Sequence, residues 1–353
     1  MNPPLIITIH GLLFLLLFSL SLIAFIVIRR LVIERQQVRF KRLYGQIERD
    51  VLEAISLLNQ DFTLKVANRH KSHHRVLTQV LLDFGDIIVG EGRDQLRIIF
   101  NSVLKDRCLS HLASPWTTKR LQSIRLFIIF FDPSENTQLH RLLDDKPIVK
   151  LAVISALARI PSPETMRYVF KAFEEDTGTT VRSYLNIMFS LGNRIEPLVK
   201  AHLKKPLSAE KLGLLVELAG AIPLRSLYEE INALAGHPDK EIRIKVARTL
   251  GKLLLPESVQ TLVSLAADAT WEVQAQAVKS LGKLRDRDTL DILTGSLFSP
   301  FWYVRYNAGY GLCELGEEGI RRLKKVAAQK EDRYARDMSV MVLNDLIYSS
   351  EAA

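Results

Sequence analysis

Ile242-Arg243-Ile244-Lys245-Val246-Ala247-Arg248-Thr249-Leu250-Gly251-Lys252-Leu253 returns 31 residues later as Val273-Gln274-Ala275-Gln276-Ala277-Val278-Lys279-Ser280-Leu281-Gly282-Lys283-Leu284. The step persists beyond these two copies. Leu250, Leu281, Leu312 and Leu343 form one column, Leu253, Leu284, Leu315 and Leu346 a second, and Ile242, Val273, Val304 and Ala335 a third. A fourth column, Val246, Ala277, Ala308 and Ser339, holds only small residues. Several columns in register over four units are the signature of a repeat architecture. Within a unit, Val304, Ala308, Leu312 and Leu315 fall on one face of a helix. The small column lets neighbouring helices approach closely. A glycine after the leucine column, or a polar turn such as Asp286-Arg287-Asp288, then ends the helix. A second apolar helix follows, with Val259, Leu262 and Val263 in one unit and Leu290, Ile292 and Leu293 in the next. Asp239, Ser299 and Ser114 read as N-caps, and Pro300 and Pro115 suit a first helical position.

Upstream the spacing loosens. Leu126 and Leu157 are again 31 apart, Leu191 follows 34 residues later, and Gly220 lies 31 before Gly251. Ser162-Pro163-Glu164 starts the second helix of the Leu157 unit. The pattern predicts about eight hairpins, with the register clearest over 144–350 and unassigned over 76–110. Helix pairs this short cannot bury their apolar faces alone, so the expected fold is a stack with a continuous core.

The segments 242–253 and 273–284 resemble the HEAT repeat, in the short form also seen in phycobilin lyases. The likeness is strong over 144–350 and weaker over 76–143, and it departs from the pattern where Cys313 and Asn344 replace glycine. The resemblance implies an all-helical superhelix used mainly for protein binding. It also implies two alternatives: an enzyme resembling the bilin lyases, or a nucleic-acid binder like the HEAT-like DNA glycosylases. One fold hosts many functions, so it names no partner.

The remainder of the 353-residue chain bears on its address. At 48% hydrophobic and 25% charged residues it is globular rather than disordered. Two cysteines, Cys108 and Cys313, exclude a disulfide framework and any Cys-x-x-Cys metal site, and both read as small core residues. Residues 5–28 contain no Asp, Glu, Lys or Arg. A helix of that length covers about 36 Å against a hydrocarbon core of roughly 30 Å. The expectation is therefore an N-terminal transmembrane helix, preceded by a short external N-terminus of residues 1–4. Arg29, Arg30, Arg35, Arg39, Lys41 and Arg42 follow the run against Glu34 alone. This positive-inside bias predicts a single-pass protein of the plasma (inner) membrane, with its N-terminus outside and its body cytoplasmic.

The net charge of +9 divides unevenly: residues 29–42 supply +5 and residues 43–75 supply +1, which leaves +3 for 76–353. The excess thus points to anionic lipid at a basic juxtamembrane segment, 29–75, more than to nucleic acid. Phe40, Leu43, Ile47, Val51, Ile55 and Leu58 form an apolar stripe for a helix that packs on the following domain, 76–353.

No catalytic constellation emerges: Walker A, Gly-x-Ser-x-Gly and His-Glu-x-x-His sequences are missing. Gly90-Glu91-Gly92 lacks the strand of a dinucleotide fold and reads as a helix break. His70, His73 and His74 lie among Lys71 and Arg75 with no third ligand type nearby, and read as a basic linker, not a metal site. Asp144-Asp145 and Glu174-Glu175 read as solvated charge at helix ends. Phe301, Trp302, Tyr303, Tyr306 and Tyr310 are the densest aromatic group. Tyr303, Tyr306 and Tyr310 share one helix face, where such rings either anchor a protein partner or pack between adjacent units. Trp271, 31 residues before Trp302, favours a structural role for both tryptophans. The expectation is a non-catalytic, membrane-anchored scaffold with no cofactor. Its partner would be a protein, such as another membrane protein.

Overall fold

The computed structural model describes residues 3–130, 139–159, 162–176 and 181–351, with side chains over 17–347 of these. Every regular element among the described residues is helical. Two compact units divide the chain, residues 1–145 and 146–353.

The first unit opens with α1 (Pro3–Leu57), which ends at Leu58 in a left-handed turn, φ 48°. Its C-terminal third carries the expected stripe in part: Ile47 and Val51 are fully buried against the helices that follow, Ile55 is half-buried with Ala54 taking the core position, and Leu58 is exposed. Asn59 caps α2 (Gln60–His70) by accepting from the Phe62 N–H. Then come α3 (His74–Gly85) and α4 (Glu91–Ile99), a single π-helical turn at Phe100–Leu104, α5 (Lys105–Leu112) and α6 (Thr117–Phe130). Phe100 anchors the core. It meets Phe127 edge-on at 5.8 Å and stacks on Phe130 at 5.2 Å, in the offset arrangements that ring quadrupoles favour. His70 is buried and pairs with Asp50 at 2.7 Å, which differs from the solvated reading, while Lys71 and Ser72 in the connection to α3, and Arg75 in its first turn, are exposed.

The transmembrane expectation is overturned. Among the described residues no helix is long and apolar enough to cross a membrane. Residues 1 and 2, and the side chains of 5–16, lie outside what is described. The uncharged run, 5–28, forms the start of α1. Beyond it α1 continues unbroken into charged sequence. With the span go the membrane anchor, the single-pass inner-membrane address and the external N-terminus. Arg29, Arg30, Arg35, Arg39, Lys41 and Arg42 all stay exposed along α1, Arg39 and Lys41 beside a recess that also holds Arg75, and the lipid contact expected of them loses its basis.

The second unit is the helical stack. Its hairpins are α7 (Pro147–Leu157) with α8 (Pro163–Glu175), α9 (Ser183–Leu191) with α10 (Glu196–Leu203), and α11 (Ala209–Ala221) with α12 (Tyr228–Asn232). They continue as α13 (Lys240–Leu253) with α14 (Ser258–Ala266), α15 (Trp271–Leu284) with α16 (Leu290–Ser296), and α17 (Trp302–Glu314) with α18 (Glu317–Ala328), and close on α19 (Arg333–Glu351). Helices α11, α13, α15, α17 and α19 pack in sequence as one layer. The columns read from the sequence form the inside of that layer. Val246, Ala277, Ala308 and Ser339 are each 0% exposed, as are Leu250, Leu281 and Leu312. In the last unit Ala335 and Ser339 keep their columns, but Leu343 is only half-buried beside fully buried Val342.

Two local readings change. First, glycine does not end these helices. α13 and α15 stop at Leu254 and Arg285, both left-handed at φ 53°, while Gly251 and Gly282 sit inside the last turn. A Cβ on Gly282 would stand 2.5 Å from the Gly311 Cα, and one on Gly251 would overlap Ser280, so these glycines are where successive first helices touch. Second, Pro300 and Pro115 precede their helices instead of opening them. Arg305 Nη1 donates to the Ser299 and Pro300 carbonyls at 2.7 and 2.9 Å. Arg243 does the same to His237 and Pro238 at 2.8 and 3.0 Å, and Arg120 to Ser114. The loop before each first helix leaves carbonyls without backbone partners, and one guanidinium satisfies them. Two of these arginines also grip an aspartate 25 residues on, Arg243 with Asp268 at 2.7 Å and Arg120 with Asp145 at 3.1 Å. The shared device puts Arg120 in the repeat register within the first unit and makes Phe127, not Leu126, the counterpart of Leu250.

Candidate functional site

The candidate site lies on the first-helix layer of the second unit and is built from three sets of residues. The deepest is the glycine seam. Gly220 faces the Thr249 side chain, Gly251 the Ser280 side chain and Gly282 the Gly311 backbone, so the C-terminal ends of α11, α13, α15 and α17 come together with only small side chains, or none, between them. What is missing there leaves an open groove of about 610 Å³, floored by Gly220 and Gly251 and rimmed by Lys252, Lys283, Arg285 and Glu314. A smaller recess of about 250 Å³ continues it past Lys279, Tyr306, Tyr310 and Gly311.

The rim is the second set of columns. Arg248 and Lys279 are one repeat apart, as are Lys252 and Lys283, and all four are exposed. Arg285 pairs with Glu314 at 2.6 Å. Lys252, Lys279 and Lys283 make no ion pair among the described residues, so a cationic strip crosses α13 and α15 with its charge uncompensated. At the α17–α19 end the sign changes. Glu314 takes the place of Lys283 and Asp345 follows, so the basic strip is bounded.

The third element is the aromatic row, where the structure places all three tyrosines singled out above. Tyr303 stacks on Trp271 at 5.7 Å, with planes within 15°. Phe301 lies beside the same indole at 5.9 Å. Trp302 meets Tyr303 edge-on at 5.0 Å and stacks on Tyr306 at 4.9 Å, and Tyr306 leans on Tyr310 at 4.6 Å. The rings support one another, yet they are not sealed inside: Trp302 is 46% and Tyr303 57% exposed. Tyr306 and Tyr310 are half-buried. Tyr310 donates to Asp345, and that hydrogen bond, then burial and the neighbouring Tyr306, push its phenol well above the ordinary range. It therefore stays a neutral hydroxyl throughout physiological pH. Sequence reading found the tyrosines and missed the groove, because the groove is made by residues that lack side chains. The 31-residue recurrence of Lys252 and Lys283 was the available signal.

The remaining polar groups are used in holding the stack. Asp268 accepts from Arg243 Nε and Nη2 at 2.7 and 3.0 Å and from the Thr270 N–H at 2.8 Å. Burial alone would raise its carboxyl, but these hydrogen bonds and the guanidinium charge outweigh it and hold the pKa below the ordinary value. Glu174, read as solvated, instead binds Lys205 and buried His202, the latter at 2.9 Å. The Lys205 hydrogen bond is the main reason its pKa is lowered. Burial pushes the Cys108 and Cys313 thiols up to about 11, so neither is a thiolate nucleophile at neutral pH. Among the described residues no group of three or more His, Cys, Asp or Glu could hold a metal ion.

Residues 229–299 match HEAT repeats, the segment that holds α13, α15 and most of the groove. The fold resembles Kap121p, in a structure bound to Ste12p, with a TM-score of 0.50 at 12% identity, covering 82% of this chain and 39% of that one. The chain thus spans about two fifths of the length of Kap121p. YIBA_ECOLI is matched with a TM-score of 0.43 at 14% identity, covering 73% of this chain and 98% of that one. The CpcE and CpcF complex of phycocyanin lyase from Nostoc sp. PCC7120 is matched with a TM-score of 0.33 at 14% identity, covering 62% and 92%. No curated protein matches at the sequence level. Identities this low speak to the fold alone.

Proposed function

We propose that the chain is a non-catalytic scaffold that binds a protein partner through the first-helix layer of its second unit, with Tyr303, Tyr306 and Tyr310 in the contact surface. The observation that carries this reading is the aromatic row. A monomeric protein has little use for Trp302 and Tyr303 half in water, whereas tyrosine and tryptophan are the residues that most often anchor interfaces. They offer large rigid surfaces that lose little rotamer freedom on binding. Their mutual stacking fixes the rings before a partner arrives, which lowers the ordering cost further. The uncompensated lysines beside them suit a partner segment that carries carboxylates, whose attraction would speed encounter and set orientation more than it adds affinity. Kap121p bound to Ste12p is an example of a similar fold carrying a protein partner.

Nothing in this surface supplies a nucleophile with its base. Tyr310 is held neutral and Cys313, on the same helix, is a protonated thiol that donates to the Gly309 carbonyl. The scaffold reading is therefore preferred to a lyase-like one.

The test is site-specific photocrosslinking in cells, with a photoreactive residue at position 303 and a control at exposed Arg321 on α18. The reading expects a discrete protein adduct at 303 that is lost when Lys279→Glu and Lys283→Glu are combined in the same chain. Equal adducts from both positions, or none from 303, would refute it.

A further inference from the structure

In the first unit, α3, α5 and α6 enclose a cavity of about 210 Å³. His74 and Arg75 enter it from the start of α3, Arg107 and His111 from α5, and Lys119 and Ser123 from α6. No aspartate or glutamate lines it. Three permanent cations and two imidazoles thus share one small space with no opposite charge in its wall.

Several cations of this unit are matched by a carboxylate: Arg69 and His70 by Asp50, Arg120 by Asp145, Arg125 by Asp86. Those of the cavity are not. Arg107 and Lys119 have no ion-pair partner among the described residues. Arg75 lies over the Phe40 ring at 5.9 Å, a contact that orients the guanidinium without neutralising it. The His74 Nδ1 is buried with no hydrogen-bond partner, an unmet polar group of the kind native folds avoid unless something satisfies it. Like charges are gathered at a cost unless an anion sits among them.

We propose that this cavity binds a small tetrahedral oxyanion, free phosphate or the phosphate of a small phosphomonoester. The size fits: ligand pockets for larger organic molecules run to about 300–1,000 Å³, and this one is smaller. The donors fit as well. A guanidinium offers paired N–H groups to two phosphate oxygens, an ammonium offers a point charge, and imidazole and hydroxyl supply single donors. A carboxylate-bearing ligand would use only one plane of this three-sided set.

The electrostatic state of the two histidines agrees. Burial and then repulsion from Arg107 and His73 hold His74 below the ordinary imidazole value. Burial, Arg107 and Lys119 do the same to His111. The charged and titratable groups facing these two rings are His73, Arg75, Arg107 and Lys119, all basic, and the Cys108 thiol, which burial keeps protonated and neutral. A dianion placed between them reverses that balance, and both imidazoles then take up protons more readily.

The test uses the full chain with labelled histidines, assigned with single His74→Gln and His111→Gln variants, and follows imidazole titration by NMR. Inorganic phosphate should raise the pKa of both His74 and His111 by about one unit, the size an opposite charge at close range supplies. The same concentration of acetate should move neither. Glycerol phosphate separates the two sources: tighter binding than inorganic phosphate identifies a monoester site, weaker binding a free-phosphate site. Arg107 and Lys119 are exposed, so Arg107→Gln and Lys119→Gln should fold normally and each weaken phosphate at least tenfold. Without phosphate, Arg107→Gln should itself raise both imidazole values. Histidines that do not respond to phosphate up to roughly 10 mM, well past the weak limit of specific binding near 1 mM, would overturn the proposal. So would an equal response to acetate, or one unchanged in the Arg107→Gln, Lys119→Gln double variant.

Discussion

Replacing Gly282 by alanine should destabilise the hairpin stack, although alanine is the better helix former. The alanine Cβ would stand 2.5 Å from the Gly311 Cα, and the obstacle is backbone, which cannot rotate away. Carbon atoms rest about 3.5–4.0 Å apart, so α15 and α17 must separate by roughly 1 Å along the seam. Opening a close-packed interface in this way costs roughly 1–3 kcal/mol, the upper part of that range applying where nothing flexible can yield. Against it stands a gain of up to about 1 kcal/mol from removing glycine from a helix interior. Gly295 on α16 supplies the control, because a Cβ there meets nothing within 4 Å and only the propensity gain remains. Gly311 is intermediate, with its nearest neighbours at 3.3 and 3.4 Å. The expected order of urea midpoints is Gly295→Ala highest, Gly311→Ala next and Gly282→Ala lowest. The outer two should differ by about 2 kcal/mol at constant slope. A Gly282→Ala protein as stable as Gly295→Ala would refute a glycine-to-glycine seam and, with it, the recess beside Gly282 and Gly311.

The Arg243–Asp268 clamp should behave as a partly buried pair. Asp268→Asn is expected to cost about 3 kcal/mol in denaturant unfolding, since it leaves a desolvated guanidinium short of its counter-charge. Because the folded Asp268 pKa is depressed, its contribution is complete above the unfolded carboxylate value near 3.9 and is lost as pH falls through the folded value. Wild type should therefore lose more stability than Asp268→Asn between about pH 4 and pH 2, and parallel curves would contradict the assignment. Cys108 and Cys313 should resist thiol reagents in the folded protein at pH 8 and react fully in urea, with native reactivity rising only as pH nears their values of about 11. Fast labelling of either thiol in the folded state would show that its burial is wrongly described. Phe127→Ala should destabilise the first unit by about 3–5 kcal/mol and exposed Trp116→Ala by under about 0.5 kcal/mol, as read by thermal unfolding.

The helical repeat is legible because burial recurs. Leu250, Leu281 and Leu312 must each face the same neighbour in a stack, so one spacing repeats wherever one packing repeats. Where a device is not repeated in every unit it stays hidden. Arg120, Arg243 and Arg305 each follow a proline by five residues, yet one counterpart is Gln274, and the column reads as ordinary surface charge until the loop carbonyls are seen. Glycine misled for a different reason. At a helix end it signals φ above zero, but Gly251 and Gly282 are helical, and Leu254 and Arg285 take the left-handed turn instead. The uncharged N-terminal run misled through hydropathy alone, which counts charge and length over 5–28 without regard to the helix in which the run sits. The phosphate cavity could not be read at all, since His74, Arg107 and Lys119 come from three helices and share no spacing.

We propose one protein-binding face made of the aromatic row and basic rim of the second unit. Its most direct measurement is the affinity of the partner crosslinked at position 303 for wild type and for the Trp302→Ala, Tyr303→Ala double variant, with unfolding midpoints recorded alongside. The account predicts a loss of at least about 30-fold, equivalent to about 2 kcal/mol, at nearly unchanged stability. An affinity within about threefold of wild type for a normally folded variant would show that the partner docks elsewhere.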